Sequence, residues 1–155
     1  MDIFIAGIMQ GSHHSTALHD QDYRARLKRV LSEHIPGARI YDPLADHQQS
    51  LDYDDAKGRQ VFQHHNRMCR RVDLVVAFVP EASMGTAIEM WEAHEHGRGA
   101  VVTISPLHHN WAVRFCSDLV FPSFTMFEQA LAEGQVLAKV REIVHQRAAT
   151  DTIPS

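Results

Sequence analysis

The sequence has little that would indicate a secreted or membrane-bound protein. It contains only two cysteines, Cys69 and Cys116, and neither lies in a C-x-x-C pair or in a zinc-ligand spacing. Two cysteines are too few for a disulfide framework, so a reducing, cytoplasmic location is expected. The first seven residues lack the basic and apolar regions of a signal peptide, and no window approaches the roughly 18 apolar residues of a membrane span. We therefore expect no membrane partner.

An excess of basic charge is also absent. Fifteen Lys and Arg against nineteen Asp and Glu give a formal net charge of −4, without a basic stripe. Proteins that bind duplex nucleic acid use such a stripe to neutralise phosphates, so no nucleic-acid partner is expected. The 155 residues, 45% of them hydrophobic, have the length and composition of one globular domain. We predict a single domain over residues 1–147 and a flexible tail over 148–155.

Histidine, in contrast, is abundant. Of the twelve histidines, six form adjacent pairs: His13-His14, His64-His65 and His108-His109. Metal-ligand patterns such as H-E-x-x-H are missing, and His94 and His96 are two residues apart in a predicted helix, so they do not share a face. The sequence therefore predicts neither a metal nor a cofactor.

Apolar runs alternate with amphipathic segments along the chain. Runs typical of buried parallel strands lie at 3–6, 38–41, 72–79, 100–104 and 119–121. Helical patterns separate them at 20–34, 55–71, 86–96 and 124–145, the last interrupted near Gly134. This alternation indicates βαβ units with right-handed crossovers. The predicted fold is α/β: a doubly wound three-layer sandwich of Rossmann or flavodoxin type, with a mostly parallel sheet of about five strands.

The loop at 80–86 carries the clearest functional signal. In open α/β sheets, ligands bind beyond the carboxyl ends of the strands, and this loop joins the strongest strand to a helix. Helix-start amides attract anions, Gly85 lets a ligand approach the backbone, and Ser83 or Thr86 adds a hydroxyl donor. Glu89 follows near the first turn, where the helix dipole is expected to keep it ionised and aimed at the pocket as a nucleophile. The plainer alternative is that Ser83 is a helix cap and Glu89 a dipole partner.

The stretch from Asp73 to Ala93, DLVVAFVPEASMGTAIEMWEA, resembles the signature of the nucleoside 2-deoxyribosyltransferase superfamily. That signature is an apolar strand headed by Asp, a turn, and a Gly shortly before a Glu. The opening strand with its glycine loop, IFIAGIMQGS at 3–12, and Tyr41-Asp42-Pro43 at the end of the second strand are also similar to the family. The resemblance covers roughly residues 2–145.

The resemblance implies that Glu89 is a nucleophile that forms a covalent glycosyl intermediate as the base departs. Transferases of the family carry Asp six residues before the nucleophile, whereas this chain has Ser83. Serine there resembles the branch that hydrolyses nucleoside 5′-monophosphates, since a carboxylate would repel a phosphate and a hydroxyl donates to it. The expected function is hydrolysis of the base–sugar bond of a (deoxy)nucleoside 5′-monophosphate. The alternatives are base exchange by a 2-deoxyribosyltransferase and a nucleotide-binding module with weak catalysis.

His65 stands where relatives place an acidic residue that assists the leaving base. An imidazolium can act as a general acid near neutral pH, which makes His65 a second catalytic candidate. The alternative is a solvated helix residue.

Further residues are expected at the substrate through the same resemblance. The predicted substrate-binding set is Gly7, Ile8, Gly11, Ser12, Asp42, Ser83, Gly85 and Asn110. The glycine loop has Met9-Gln10 where the phosphohydrolases tend to have Arg. The region of Asn110 reaches into a neighbouring subunit's site in relatives, so the resemblance also implies a homo-oligomer, at least a dimer.

Overall fold

The computed structural model describes residues 1–8 and 22–150. The strands are β1 Asp2–Gly7, β2 Arg39–Tyr41, β3 Leu74–Phe78, β4 Ala100–Ile104 and β5 Leu119–Phe121. The helices are α1 Asp22–His34, α2 Pro43–Asp46, α3 Asp55–Cys69, α4 Met84–His96, α5 Trp111–Phe115, α6 Phe124–Ala132 and α7 Gln135–Thr150, with a 3-10 turn at Ser50–Asp52.

All described strand pairs are parallel, and the strand order is β2-β1-β3-β4-β5. The predicted α/β fold with a five-stranded parallel sheet is confirmed. The chain first builds outward from β1 to β2 and then places β3 on the other side of β1. The order therefore reverses between β1 and β3, and this is where doubly wound proteins form their ligand crevice.

Helices cover both faces of the sheet, which explains the continuous apolar runs in the strands. On one face, Ile3, Ile5 and Val76 pack in a cluster that also contains residues of α1, α6 and α7. On the other face, Phe4 and Val75 pack in a cluster with residues of α3, α4 and α5. Successive strand residues point to opposite faces, so each strand contributes to both cores.

Several boundaries differ from the predicted ones for identifiable reasons. Helix α4 begins at Met84 rather than 86 because Ser83 caps it. The stretch between 41 and 55, for which no strand or helix is predicted, contains α2, which Asp42 caps, and the 3-10 turn. The expected break at Gly134 is present, with a φ of 76° that favours glycine. Helix α7 continues to Thr150, beyond the predicted helix end at 145, so residues 148–150 are helical; residues 151–155 lie outside the described residues.

Within residues 1–8 and 22–150, no helix has the length and apolar character needed to cross a bilayer.

Candidate active site

A cleft of about 370 Å³ opens at the point where the strand order reverses. The end of β1 contributes Gly7, and the first turns of α4 contribute Ser83 to Thr86 and Glu89. The opposite wall comes from α3 and the segment before it: His47, Ser50, Tyr53, Gly58, Val61, Phe62 and His65. The cleft thus joins the predicted nucleophile, the predicted anion-binding turn and a wall rich in aromatic rings.

The beginning of α4 combines a capped helix start with unused donors. Ser83 Oγ accepts hydrogen bonds from Thr86 N at 3.4 Å and from Thr86 Oγ1 at 3.0 Å. The N–H groups of Met84 and Gly85 lie too early in the helix to have intrahelical partners. Both bonds to Ser83 use its oxygen as acceptor, so its hydroxyl hydrogen can still donate to a ligand in the cleft. Ser83 is therefore the cap that the plainer alternative anticipated and also a donor at the cleft.

Gly85 leaves the mouth of the cleft open. A Cβ built on Gly85 would meet no protein atom within 4 Å, and its φ is not in the left-handed region. Neither backbone strain nor packing within the described residues requires glycine here. The position is free for a ligand to approach the backbone, as the sequence predicts.

Glu89 lies on the wall of the cleft and is partly buried. Burial raises the pKa of Glu89 from 4.5 to about 8, and the nearby Arg24 guanidinium opposes this rise only in part. The expectation of an ionised carboxylate was wrong. Because α4 begins at Met84, Glu89 is its sixth residue, and the helix dipole acts mainly within the first turn. Loss of hydration therefore dominates, and the carboxyl is mostly protonated at neutral pH.

His65 is buried on α3, with its ring at the cleft. Its Nε2 lies 3.2 Å from Tyr41 Oη, and its ring centroid is 5.2 Å from that of His47. Burial, together with the nearby His47 and His64, lowers the pKa of His65 to about 4. The imidazolium expected from the sequence was wrong, and so was the solvated alternative. His65 is a neutral imidazole at the cleft, hydrogen-bonded to Tyr41.

Gly7 and Ile8 form the end of β1 beside Tyr23. A Cβ on Gly7 would lie 2.3 Å from Tyr23 Oη, so only glycine fits at this point of the cleft. Tyr23 Oη donates to the Ile8 carbonyl at 3.3 Å, and the Ile8 side chain is buried in the protein. Gly7 therefore lines the cleft, whereas the Ile8 side chain packs in the interior and is not among the described residues that line it.

Asp42 does not face the cleft, contrary to the prediction. Its carboxylate is buried and accepts from Arg24 Nη1 at 2.9 Å, while Lys28 Nζ lies 2.6 Å from its other oxygen. Burial raises the pKa of Asp42, but Lys28 and Arg24 outweigh that effect and lower it overall. Arg24 also donates to the carbonyls of Ile5 and Gly7. Asp42 thus links the ends of β1 and β2 through Arg24. A buried carboxylate needs cationic partners, and Arg24 and Lys28 contact its two oxygens, so Asp42 is not placed to bind a ligand in the cleft.

Asn110 also lies away from the cleft. Its side-chain oxygen caps α5 by accepting from Ala112 N at 2.9 Å and from Val113 N at 3.3 Å. It lines a separate, mostly apolar depression on the other side of Ser83 and Met84. Within one copy of the chain, Asn110 is a helix cap and does not reach the site of Glu89.

Two members of the predicted set, Gly11 and Ser12, lie outside the described residues, as do Met9-Gln10 and His13-His14. Across residues 1–8 and 22–150, no group of three or more His, Cys, Asp or Glu side chains is arranged to hold a metal ion.

Sequence reasoning missed the aromatic wall. Tyr53, whose hydroxyl lies 2.9 Å from His47 Nδ1, follows a polar stretch that has no helical or strand pattern. Phe62 lies in a helix of low mean hydropathy, and it stays about half exposed. The available signal was the spacing of Gly58, Phe62 and His65, which places all three on one helical face.

No family model matches the chain, and no curated protein matches it. Among solved structures, the fold is similar to that of a 2-deoxyribosyltransferase from the psychrotolerant bacterium Bacillus psychrosaccharolyticus, with a TM-score of 0.58 and 14% sequence identity. The match covers 83% of this chain and 90% of that one. At this identity, the likeness shows a common fold.

Proposed function

We propose that the protein is an enzyme of the nucleoside 2-deoxyribosyltransferase superfamily that breaks the base–sugar bond of a nucleoside or nucleotide, with Glu89 as the nucleophile. The observation that carries this proposal is the meeting of the Glu89 carboxyl, the open start of α4 and an aromatic wall in one cleft where the strand order reverses. The similar 2-deoxyribosyltransferase supports transfer of the sugar to a second base more directly than transfer to water.

In the proposed reaction, the Glu89 carboxylate attacks C1′ while the bond from C1′ to the base nitrogen breaks. The electron pair leaves with the base, which hydrogen-bonds in the cleft and takes a proton from solvent. An acceptor, either a base nitrogen or water, then attacks C1′, releases its own proton and frees the carboxylate. The cleavage resembles that of retaining glycosidases, in which positive charge develops at the anomeric carbon. A carboxylate on the cleft wall stabilises that charge.

His65 has a positioning part in this proposal. A neutral imidazole does not protonate the departing base, but one ring nitrogen can hydrogen-bond to it while the other is held by Tyr41. Tyr41 thereby fixes which edge of the ring is presented to the cleft.

Hydrolysis of a nucleoside 5′-monophosphate is the second candidate, and Ser83 favours it. The Ser83 hydroxyl and the N–H groups of Met84 and Gly85, which lie in the first turn of α4, make an uncharged donor set at a helix start, which suits a phosphate. A carboxylate in place of Ser83 would repel that phosphate.

The experiment is chromatography of the protein incubated with each ribo- and deoxyribonucleoside and its 5′-monophosphate, with and without a second base. A new nucleoside that appears only with the second base supports transfer, and free base from a monophosphate alone supports hydrolysis. If the protein binds nucleotides but forms no product from any of them, the proposal of an enzyme is excluded and a nucleotide-binding module is favoured.

Variants of two glutamates on α4 test the role of Glu89. Glu89→Ala and Glu89→Gln are expected to abolish turnover while the fold is kept. Glu95→Gln, a change at an exposed glutamate of the same helix, is the matched control and is expected to retain activity. Full activity of Glu89→Ala would exclude the proposed mechanism.

We also propose that a second copy of the chain covers an exposed apolar surface beside the cleft. Met84, Ile88 and Trp91 share one face of α4, and Trp111 and Phe115 are exposed on the neighbouring α5. Met84 belongs both to this surface and to the rim of the cleft, so a partner seated here would lie next to the site. Apolar surface of this kind on a small protein indicates an interface.

A further inference from the structure

The α3 wall of the cleft contains three lining residues from one face of the helix. Gly58, Phe62 and His65 lie at positions i, i+4 and i+7 and therefore share the face of α3 that borders the cleft. Phe62 is 49% exposed although it lies beside a concave site. An aromatic ring in this position provides a face on which another planar ring can stack.

Gly58 has no function in the fold that the described residues reveal. Its φ is not in the left-handed region, which among the described glycines is occupied by Gly37 and Gly134. A Cβ built on Gly58 would meet no atom of another described residue within 4 Å, apart from the backbone of its own helix. Glycine is also the least favourable residue in a helix after proline. The absence of a side chain at this position therefore leaves space in the cleft rather than satisfying the backbone or the core.

We propose that Gly58 and Phe62 together form the platform for the base, and that this platform selects a base with two fused rings. The proposal rests on the proposed function. Four residues along a helix axis correspond to a rise of about 6 Å, so the strip from Phe62 to Gly58 is longer than one phenyl ring. A purine stacks on Phe62 with one ring and extends over Gly58 with the other, whereas a pyrimidine occupies Phe62 alone.

The test compares the affinity of the inactive Glu89→Ala protein for adenosine and cytidine 5′-monophosphates, in ribo and deoxy forms, by calorimetry. Gly58→Ala in that background is expected to weaken purine nucleotides about tenfold or more, as a misplaced methyl group in a pocket does, with pyrimidine nucleotides changed less than about twofold. Its melting temperature is expected to rise, since alanine is the better helix former. A variant that is more stable but binds purines less well cannot owe the loss to misfolding.

Gln60→Ala, an exposed change on the same helix, is the matched control and should alter neither affinity. Phe62→Leu should lose purine affinity and Phe62→Tyr should retain it, because tyrosine keeps the ring face. If Gly58→Ala changes the affinities for purine and pyrimidine nucleotides equally, or changes neither, the proposed platform is excluded. This holds even if the active protein turns nucleotides over. If Gly58→Ala selectively weakens purine binding but the protein with Glu89 intact turns over none of the nucleotides, the platform is supported and the proposed reaction is excluded.

Discussion

At the scale of single residues, burial decides the chemistry of the site. Glu89 and His65 both have shifted pKa values, and in both cases burial is the largest cause. The shifts favour the uncharged form of each residue, so the cleft holds a neutral carboxyl and a neutral imidazole at pH 7. Groups with shifted pKa values in a cleft are frequent in active sites.

Turnover is expected to depend on pH through Glu89. In the proposed reaction the attacking form is the carboxylate, and a pKa of about 8 leaves only a small fraction of Glu89 ionised at pH 6. We expect kcat/KM to rise about tenfold per pH unit between pH 6 and 7 and to level off above pH 8. Rates measured from pH 5.5 to 9.5 on the best substrate check this. A profile that is flat from pH 6 to 8 would contradict it.

The same shift predicts an effect on stability that needs no substrate. A carboxyl whose pKa rises from 4.5 to about 8 on folding gives stability that is fully present below pH 4.5 and is lost as pH rises through 8. Glu89→Gln removes this loss. We expect the stability advantage of Glu89→Gln over the wild type, measured as unfolding free energy, to be about 2 kcal/mol larger at pH 8.5 than at pH 5. This value is smaller than the pKa shift alone implies, because Glu89 is only partly buried. Urea unfolding at the two pH values measures the difference, and a pH-independent difference would count against a buried Glu89.

His65 is expected to remain neutral where an ordinary imidazole titrates. Its lowered pKa of about 4 predicts ring resonances that do not move between pH 7.5 and 5.5, in contrast to an unperturbed histidine with a pKa of about 6.5. Tyr41→Phe removes the hydroxyl beside Nε2 and should change the tautomer ratio of His65. Nitrogen-15 NMR of the imidazoles reads both properties. An unchanged tautomer in Tyr41→Phe would mean that Tyr41 does not orient the ring.

At the scale of elements, the start of α4 serves the fold and the site at once. Ser83 ends the loop after β3 and caps the helix, and the same residue lines the cleft. Sequence resemblance and helix-capping chemistry therefore select the same position for different reasons. Variants at Ser83 can separate the two.

Ser83→Asp keeps a capping side chain but adds a negative charge at the cleft. Because aspartate caps helices as well as serine does, we expect stability within about 0.5 kcal/mol of the wild type. The charge should lower kcat/KM for nucleoside 5′-monophosphates relative to the matching nucleosides by about tenfold or more, through repulsion of the phosphate. Ser83→Gly, which also retains most of the cap, loses only the hydroxyl and is the uncharged control. Equal effects on the two substrate classes would argue against a phosphate at the start of α4.

At the scale of the whole molecule, the exposed aromatic side chains of α4 and α5 bear on the proposal that the chain forms an oligomer. Trp111 is 77% exposed and Trp91 50%, although tryptophan is usually well buried. The two helices that carry them, α4 and α5, are in contact. A second copy would bury them and would bring its own residues next to Met84 at the rim of the cleft.

Light scattering at micromolar concentration is therefore expected to give at least the mass of a dimer. Trp91→Glu places a charge in the proposed interface and should produce monomers, with lower activity if the partner completes the site. Met126→Glu is the matched control, since Met126 is an exposed apolar residue on α6, which packs with the core of the other sheet face. A monomeric wild type, or equal behaviour of the two variants, would exclude this interface.

The sequence by itself determined the architecture and indicated the edge of the sheet at which the cleft opens. Five apolar runs separated by amphipathic helices are compatible with few arrangements other than a parallel sheet covered on both faces. A turn with Ser83 and Gly85 after the strongest strand marks the carboxyl edge of that sheet, because these features are local in the chain. The choice of Glu89 as the candidate nucleophile rests on the same local stretch of sequence.

Only the tertiary structure decided the charge states and partners of these residues. The pKa values of Glu89 and His65 depend on how much water remains around them, and no local pattern encodes that quantity. Asp42 is engaged by Arg24 and Lys28 from another element, which removes it from the cleft. Gly58 and Phe62 line the cleft only because the fold places α3 opposite α4. Sequence periodicity fixes which face of an element is buried, but hydration and long-range partners arise only when the elements are packed together.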